Sequence, residues 1–243
     1  MKKKYLIIGE DERQIQLAKL YKTKAISEDD KAIANKTKKS DIIIIPISAP
    51  SEKLENLLIN TKKNALIFGG NASNNLKQKS NFFNITTVPS FQEENAVPTA
   101  EGAVLLALQH KQLLHNSCCL VLGYGNCGSK IVSLLLSFGI VIDIYDNKFT
   151  NTFSILEERV RAIDFEAVTE NLTNYDFIFN TIPAQIFSSK HLKKISGTII
   201  NIASHDAGFP IDRRFPNIPS KYFPKAAAEI MKKAIDEVIK GGS

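Results

Sequence analysis

Short apolar runs alternate with stretches of helical spacing in the first part of the chain. Residues 5–8, 42–45 and 65–68 are uninterrupted apolar runs, which is typical of strands buried on both faces of a sheet. Apolar residues at helical spacing follow two of these runs, at 11–21 and 54–58. Because strands that alternate with helices pair in parallel, this pattern predicts an α/β domain.

Two stretches in the first part of the chain have a weaker pattern of apolar and polar residues. Residues 85–88 predict a fourth, short strand that Pro89 ends. Residues 22–40 are polar and carry no clear period, so no regular element is predicted there.

A long apolar helix is predicted to begin at Pro98 and to run to residue 115. Proline suits the first turn of a helix, and Glu101 lies near the positive end of the helix dipole. Beyond this helix the chain returns to alternating strands and helices. Four strands are predicted there, at 119–122, 141–145, 177–179 and 198–202. A final amphipathic helix begins near Pro224.

Residues 123–128 match the pattern G-x-G-x-x-G in the setting that dinucleotide binding requires. A strand precedes the pattern, a helix follows it, and Asp146 ends the next strand 23 residues after Gly123. In such a turn the first glycine permits the tight bend, Gly125 leaves room for the pyrophosphate, and Gly128 allows close helix packing. Asp146 is placed to accept hydrogen bonds from a ribose. The alternative is a bare strand–turn–helix unit that binds nothing.

The predicted cofactor is NAD or NADP, and two loops at strand ends are expected to line its nicotinamide half. A carboxylate at position 146 repels a 2′-phosphate and favours NAD, whereas Lys148 is placed to pair with one. The predicted cofactor-binding residues are Gly123, Gly125, Asn126, Cys127, Gly128, Asp146, Asn147, Lys148, Thr181, Ile182, Pro183, Ala203 and Ser204.

The composition of the chain argues against nucleic-acid binding, a metal site and a membrane span. The 243 residues carry a net charge of +6 from scattered lysines, without the basic patch that is typical of nucleic-acid binding. The three cysteines are not spaced as a zinc site or a disulfide framework, so no metal is predicted. No segment approaches the ~20 apolar residues of a membrane span. These features favour a cytoplasmic protein that binds a small molecule.

Hydride transfer is performed by a nicotinamide itself, so the protein is expected to supply orientation and charge. Arg13 is the strongest candidate for a carboxylate-binding group because a guanidinium makes two-point contacts; the alternative is a surface position on a helix. The predicted substrate-binding residues are Arg13, Ser48, Thr99 and Glu101. His205, in a loop after a strand, is the candidate catalytic acid or base, and a solvent-facing histidine is its alternative.

Several segments, in order along the chain, resemble the A subunit of dipicolinate synthase from spore-forming bacteria. Residues 9–14 (GEDERQ) resemble its opening G-x-D-x-R-Q, and residues 45–49 (IPISA) resemble its P-V-S-A segment. The most specific part is 97–103 (VPTAEGA), which is similar to its P-T-A-E-G helix. Three further segments match, at 123–125, 180–183 and 202–204.

The resemblance implies a nicotinamide-dependent oxidoreductase that converts a dihydrodipicolinate-type precursor to dipicolinate during sporulation. It also implies a partner, which would be a flavoprotein-like B subunit, and a location in the cytoplasm of the mother cell. It leaves a homo-oligomer open.

The resemblance further implies an α/β fold with two Rossmann-like domains, whose parallel sheets are linked by a long interdomain helix and a returning C-terminal helix. Residues 1–96 would form the substrate-side domain, and residues 97–223 the dinucleotide-binding domain. The helix at 224–240 would pack back on the first domain.

The chain departs from the family pattern at three places. The first domain is short, residues 205–208 (HDAG) replace a Pro-Gly-Gly-type turn, and Asp146 stands where the family can have a neutral residue beside a basic one. Two alternatives therefore stay open. One is a diverged 2-hydroxyacid or amino-acid dehydrogenase with Arg13 and His205 as its reactive pair. The other is a non-catalytic sensor or scaffold subunit that binds the dinucleotide.

Overall fold

The chain divides into two compact units. A computed structural model describes residues 3–61, 64–79, 81–110, 113–149, 154–204 and 207–241, without the side chains of 154–157. Unit 1 comprises Met1–Asn95 and Pro219–Ser243, and unit 2 comprises Ala96–Ile218. Among the helices described, none is long and apolar enough to cross a membrane.

Strands and helices are numbered in chain order. The strands are β1 (Tyr5–Ile8), β2 (Ala25–Ile26), β3 (Ile42–Ile44), β4 (Leu66–Gly69), β5 (Phe82–Asn84), β6 (Cys118–Leu122), β7 (Val141–Tyr145), β8 (Ser154–Glu157), β9 (Val160–Ala162), β10 (Phe177–Asn180) and β11 (Thr198–Asn201). The helices are α1 (Glu12–Leu20), α2 (Ile33–Lys39), α3 (Glu52–Ile59), α4 (Asn74–Lys77), α5 (Pro89–Gln109), α6 (Asn126–Ser137), α7 (Phe165–Glu170), α8 (Ser189–Leu192), α9 (Ile218–Tyr222) and α10 (Pro224–Gly241).

Unit 1 contains a parallel sheet in the order β2-β1-β3-β4-β5. Several of its helices begin where a short polar side chain caps the first turn. Asp11, Ser51 and Ser73 each accept a hydrogen bond from a backbone N–H three residues on, which satisfies a donor that has no partner inside the helix. These caps fix where the chain turns from strand to helix.

Alternate residues of the central strands face the two sides of this sheet. On one side, Ile43 belongs to a buried cluster with Leu54 of α3. On the other side, Ile44 belongs to a buried cluster with Leu17 of α1 and Met231 of α10. The last helix of the chain is therefore part of the core of unit 1, although more than 200 residues separate Leu17 from Met231.

Two sequence predictions for unit 1 were wrong. The strand predicted at 85–88 lies instead at Phe82–Asn84, and Ile85–Thr87 forms a 3-10 turn. The turn begins because the Asn84 side chain accepts a hydrogen bond from the Thr86 N–H. The stretch 22–40, for which no element was predicted, contains β2 and α2. β2 is only half-buried and α2 buries only Ile33 and Thr37, so neither gives an apolar pattern.

The prediction that the long helix begins at Pro98 was also wrong. α5 begins at Pro89, and Pro98 lies in its interior. The first two turns carry few apolar residues, but Phe91 and Ala96 are buried there, so packing extends the helix beyond the apolar pattern. A proline cannot donate to the carbonyl four residues earlier, so Pro98 interrupts the hydrogen-bond ladder of α5. The boundary between units 1 and 2, at Asn95 and Ala96, falls just before this proline.

Unit 2 contains a sheet in the order β11-β10-β6-β7-β9-β8. All its pairs are parallel except that of β8 with β9, at one edge. From β6 the chain proceeds outward through β7 and then returns through β10 on the other side, so the strand order reverses at β6. Ligands of open α/β sheets bind at the carboxyl ends of the strands at such a point. The two sheets, which are parallel apart from the β8–β9 pair, confirm the predicted α/β fold class with two Rossmann-like units.

A buried carboxylate on β7 joins β9 to the segment that precedes β10. Asp143, on β7, accepts a hydrogen bond of 2.8 Å from the Tyr175 hydroxyl and one of 2.7 Å from Nε of Arg161. Burial, together with the charge and hydrogen bond of Asp143, raises the pKa of the Tyr175 hydroxyl, so this group stays a hydrogen-bond donor. Because both partners satisfy the carboxylate, we assign this network a structural role.

The helix pair α1 and α10 offers a direct test of the unit 1 core. Leu17→Ala is expected to lower the free energy of unfolding by roughly 2–5 kcal/mol, because Leu17 is fully buried. Leu20→Ala, on the same helix at a side chain that is 36% exposed, is expected to cost less than about 1 kcal/mol. Urea denaturation measures both variants. Equal losses would contradict this assignment of the core.

Candidate functional site

The turn between β6 and α6 contains two glycines, and a side chain at either position would collide with neighbouring atoms. Gly123 has a φ of +92°, and a Cβ there would lie 2.3 Å from Oγ1 of Thr181. At Gly128, in the first turn of α6, a Cβ would lie 1.9 Å from the carbonyl oxygen of Gly123. The fold itself therefore requires both glycines, since they let α6 start directly against the carboxyl end of β6.

Gly125 is different, because no contact among the described residues requires a glycine there. Its φ of −85° and ψ of −158° are extended values that any residue adopts. A Cβ at Gly125 would meet no atom within 4 Å. The missing side chain leaves an open cradle at the N-terminus of α6. The contacts of the described residues therefore do not explain this glycine.

The first turn of α6 is suited to an anion. No side chain caps this helix, and the first N–H groups of any helix have no partner within it. These donors and the positive end of the helix dipole favour a phosphate group. The pyrophosphate of a nicotinamide dinucleotide therefore fits the residues that surround the cradle at Gly125.

Asp146 ties the glycine turn to the segment after β7. One of its carboxylate oxygens accepts a hydrogen bond of 2.6 Å from the Tyr124 N–H, and the other accepts one of 2.9 Å from the Lys148 N–H. Asp146 is buried, whereas Asn147 and Lys148 are exposed. Each oxygen keeps a second lone pair, so the carboxylate both holds the turn and remains able to accept from a ribose hydroxyl.

Cys127 and Thr99 meet at the start of α6. Burial raises the pKa of the Cys127 thiol, and the hydrogen bond with Thr99 acts in the opposite direction. The thiol is therefore protonated at neutral pH and is not a nucleophile. Thr99, which the sequence suggested for substrate binding, is buried at this contact within unit 2. Glu101, on the same helix, is exposed.

Two asparagines at the ends of adjacent strands organise the other half of the site. Asn180 and Asn201 are partners in the register of β10 and β11, and Nδ2 of Asn180 donates to Oδ1 of Asn201 at 2.9 Å. Oδ1 of Asn180 accepts from the Ile182 N–H at 3.2 Å, and Oδ1 of Asn201 accepts from the Ala203 N–H at 3.1 Å. The two predicted nicotinamide loops are thus held by one pair of buried amides.

Asn201 was absent from the sequence predictions. A signal was available, because Asn180 and Asn201 each end an apolar strand at the same relative position. Thr181, which was predicted, connects this half of the site with the glycine turn. Its N–H and its hydroxyl both donate to the Leu122 carbonyl at 2.9 Å. The loops on β10 and β6 are therefore fixed to each other.

In the described part of unit 1, the buried side chain of Arg13 has an Nε without a hydrogen-bond partner. Arg13, at the second position of α1, is 7% exposed, and its Nε is buried without a hydrogen bond. Within the described residues, no acidic group forms an ion pair with it. Burial lowers the pKa of Arg13 to about 10, against the opposing effect of Asp11. The group therefore stays charged at neutral pH.

The surroundings of Arg13 lie at the carboxyl end of the unit 1 sheet. Its neighbour Gln14 donates from Nε2 to the Ile8 carbonyl at 3.0 Å, and Oε1 of Gln14 is buried without a partner. Gly9 follows β1 with a φ of +123°, and a Cβ there would lie 2.7 Å from Cγ of Pro46. An unpaired buried charge is costly, and an anion placed beside it would offset that cost.

The structure gives less information on the remaining residues that the sequence suggested for the site. Ser48, suggested for substrate binding, is exposed. His205, the candidate acid or base, lies outside the described residues. No group of three or more His, Cys, Asp or Glu side chains that could hold a metal ion occurs in the described part of the chain.

Comparison with known proteins gives relatives in both sequence and fold. The chain is 24% identical to the A subunit of dipicolinate synthase from Bacillus subtilis (strain 168) over an alignment of 159 residues that covers 60% of this chain and 53% of that protein. The crystal structure of the dipicolinate synthase A chain from the same species matches with a TM-score of 0.77 at 20% identity, over 99% of this chain and 97% of that one. The chain is similar to the A subunit of dipicolinate synthase. The resemblance noted in the sequence is confirmed.

A more distant likeness extends to dehydrogenases. The NAD+-bound 3-phosphoglycerate dehydrogenase of Entamoeba histolytica matches with a TM-score of 0.58 at 12% identity, over 100% of this chain and 97% of that one. This chain therefore shares its fold with that dehydrogenase. No protein-family model matches the chain. The matched sequence segment covers about half the length of the curated relative.

The contrast between Gly125 and Gly128 can be tested by stability. Gly128→Ala is expected to lower the free energy of unfolding by roughly 1–3 kcal/mol, because its Cβ collides with backbone. Gly125→Ser is expected to change it by less than about 0.5 kcal/mol, since serine suits the start of a helix and has space there. Urea denaturation measures both. A large loss for Gly125→Ser would show that the fold, and not a ligand, requires this glycine.

Proposed function

We propose that this chain is a nicotinamide-dependent oxidoreductase subunit that dehydrogenates a dihydrodipicolinate-type precursor to dipicolinate. The open cradle at Gly125 carries the proposal, because it lies against an uncapped helix and no contact among the described residues explains it. The similarity to the A subunit of dipicolinate synthase supports the choice of substrate. Unit 2 would be the dinucleotide-binding domain and unit 1 the substrate-side domain.

The protein's part in such a reaction is to bind and orient. When bound, a nicotinamide supplies the acceptor for the hydride that leaves the substrate ring. The N–H groups at the start of α6 would hold the pyrophosphate, and Asp146 would hold the adenosine ribose. The loops that Asn180 and Asn201 fix would line the nicotinamide half. Their hydrogen bonds leave little freedom for these loops, which favours a constant position for the reacting ring.

Arg13 would bind a carboxylate of the substrate. It is buried, charged and without an ionic partner among the described residues, and a guanidinium binds a carboxylate through two parallel hydrogen bonds. In this dry position the interaction is stronger than it would be at the surface. The fold keeps this costly charge, which is consistent with a role in binding.

We favour NAD as the cofactor. Asp146 keeps lone pairs for the two ribose hydroxyls and repels a 2′-phosphate. Lys148 is exposed next to it and would be the residue that accommodates NADP. The relative's name as a subunit supports a partner subunit for this chain as well. The proposed location is the cytoplasm of the sporulating mother cell.

A non-catalytic, dinucleotide-binding sensor is the second candidate. The described loop residues 180–184 and 201–204 are NTIPA and NIAS, and none of these side chains is a general acid or base at neutral pH. A proton from the substrate would then need another acceptor. Turnover in the presence of the dinucleotide separates the two candidates, because a sensor binds the cofactor and converts nothing.

Calorimetric titration with NAD and with NADP tests the cofactor site. We expect NAD to bind, and Gly125→Ser to weaken it by at least roughly 100-fold, because the side chain fills the cradle and its hydroxyl competes for the same N–H groups. Ser133→Ala, at an exposed position two turns further along α6, is the control and is expected to bind NAD as wild type does. Unchanged binding by Gly125→Ser would exclude this cradle as the pyrophosphate site.

Arg13→Met tests the substrate anchor through two opposite effects. We expect the unfolding free energy to rise by roughly 1–3 kcal/mol, because an unpaired buried charge is replaced by an apolar side chain of similar length. We expect dipicolinate affinity in the presence of NAD to fall at least roughly tenfold, while NAD affinity is unchanged.

Lys19→Met, on the exposed face of the same helix, is the matched control and is expected to change neither quantity. Calorimetry and urea denaturation give both readouts. If Arg13→Met binds dipicolinate as wild type does, Arg13 is not a substrate anchor.

A further inference from the structure

A second arginine of interest lies in unit 2, after the last strand of the sheet. Arg214 forms an isolated parallel bridge with Asn201, and the Phe215 N–H donates to the Asn201 carbonyl at 2.8 Å. The chain thus returns after β11 and fixes the backbone of Arg214 at the carboxyl end of that strand. The sequence pattern gave no indication of this position, because residues 207–217 contain no long helix or strand.

Among the described residues, the side chain of Arg214 has a weak hydrogen bond but no ionic partner. Its Nη2 donates to the Ser204 carbonyl at 3.5 Å, which is the outer limit for a hydrogen bond, and its Nε is buried without a partner. In the described part of the chain, no carboxylate forms an ion pair with Arg214. The adjacent Arg213 differs, since its Nε lies 3.2 Å from a carboxylate oxygen of Asp212. A buried donor without a partner is unfavourable, so the fold stabilises Arg214 through its backbone and leaves the guanidinium available.

The sheet order places Arg214 in the half of the site that Asp146 does not occupy. β7, which ends next to Asp146, lies on one side of β6, whereas β10 and β11 lie on the other side. Arg214 contacts Asn201 and Ser204, the strand end and loop that the proposed function assigns to the nicotinamide half. The anionic pyrophosphate would lie at Gly125, next to β6. An anion bound at Arg214 would therefore belong to a molecule other than the dinucleotide.

We infer that Arg214 is a substrate-binding residue that holds a carboxylate beside the nicotinamide half of the site. This inference rests on the proposed function. The guanidinium has the two-point donor geometry that a carboxylate requires. It is anchored to the same strand end that the Asn180–Asn201 pair fixes, so a carboxylate bound there has a constant position relative to the nicotinamide loops.

The test compares Arg214→Gln with Arg213→Gln, a neighbouring change at an arginine that already has a carboxylate partner. Calorimetry measures the affinity for NAD alone and then the affinity for dipicolinate at saturating NAD. We expect Arg214→Gln to keep NAD affinity within about twofold and to weaken dipicolinate at least roughly tenfold. Arg213→Gln is expected to match wild type in both. Arg214→Lys is expected to recover only part of the loss, because lysine is a point charge without the planar fork.

Any other outcome contradicts either the inference on Arg214 or the proposed function. If Arg214→Gln binds dipicolinate as wild type does, or weakens NAD and dipicolinate alike, the inference is wrong while the proposed function stands. If wild type binds NAD and no dipicolinate, the inference fails and dinucleotide binding remains. If wild type binds neither dinucleotide, the proposed function fails and the inference fails with it. Equal melting temperatures of the three variants show that the comparison does not reflect unfolding.

Discussion

The close contact between Gly123 and Gly128 fixes the geometry on which the whole unit 2 site depends. A Cβ at residue 128 would lie 1.9 Å from the carbonyl oxygen of Gly123. For this reason α6 can begin directly against the end of β6 only if residue 128 is a glycine, and Gly123 likewise has no room for a side chain. This contact places the N-terminus of the helix at the carboxyl edge of the sheet. The donors and dipole of α6 then face the open cradle at Gly125, which is where an anionic ligand gains most from them.

Hydrogen bonds from neighbouring strand ends extend this fixed turn into a larger site. Asp146 holds the turn from the side of β7, and Thr181 holds it from the side of β10. The Asn180–Asn201 pair continues the connection to β11. Each of these side chains is satisfied mainly by backbone N–H or C=O groups of a loop, so the loops are shaped before any ligand binds. Such preorganisation reduces the entropy that binding would otherwise cost.

Two arginines stand apart from this fully paired network. Asp143 is buried with two partners and belongs to the structure of unit 2, whereas Arg13 and Arg214 each have a buried Nε without one. A protein selected for stability alone would pair or remove such groups. These two groups, one in each unit, are the arginines for which binding roles are proposed above. They are consistent with a small anionic substrate and with the similarity to the A subunit of dipicolinate synthase.

The sequence by itself determined the features whose causes are local. The G-x-G-x-x-G turn, the strand before it, the helix after it and the acid at Asp146 were predictable, because a tight turn and a buried strand leave their pattern in consecutive residues. The uninterrupted apolar runs likewise indicated the parallel sheet of unit 1. The sequence identified Arg13 as a candidate carboxylate-binding residue from its position after a strand, but it did not predict that Arg13 is buried.

Only the tertiary structure decided the features that depend on residues far apart in the chain. β2 and α2 exist because β1 and the core support them, and α5 begins at Pro89 because Phe91 is buried. Asn201 gains its role from its register with Asn180. Arg214 gains its position from a bridge to Asn201, across 13 residues of chain. Strand register and burial are set by packing between distant segments, and no local pattern of apolar and polar residues records them.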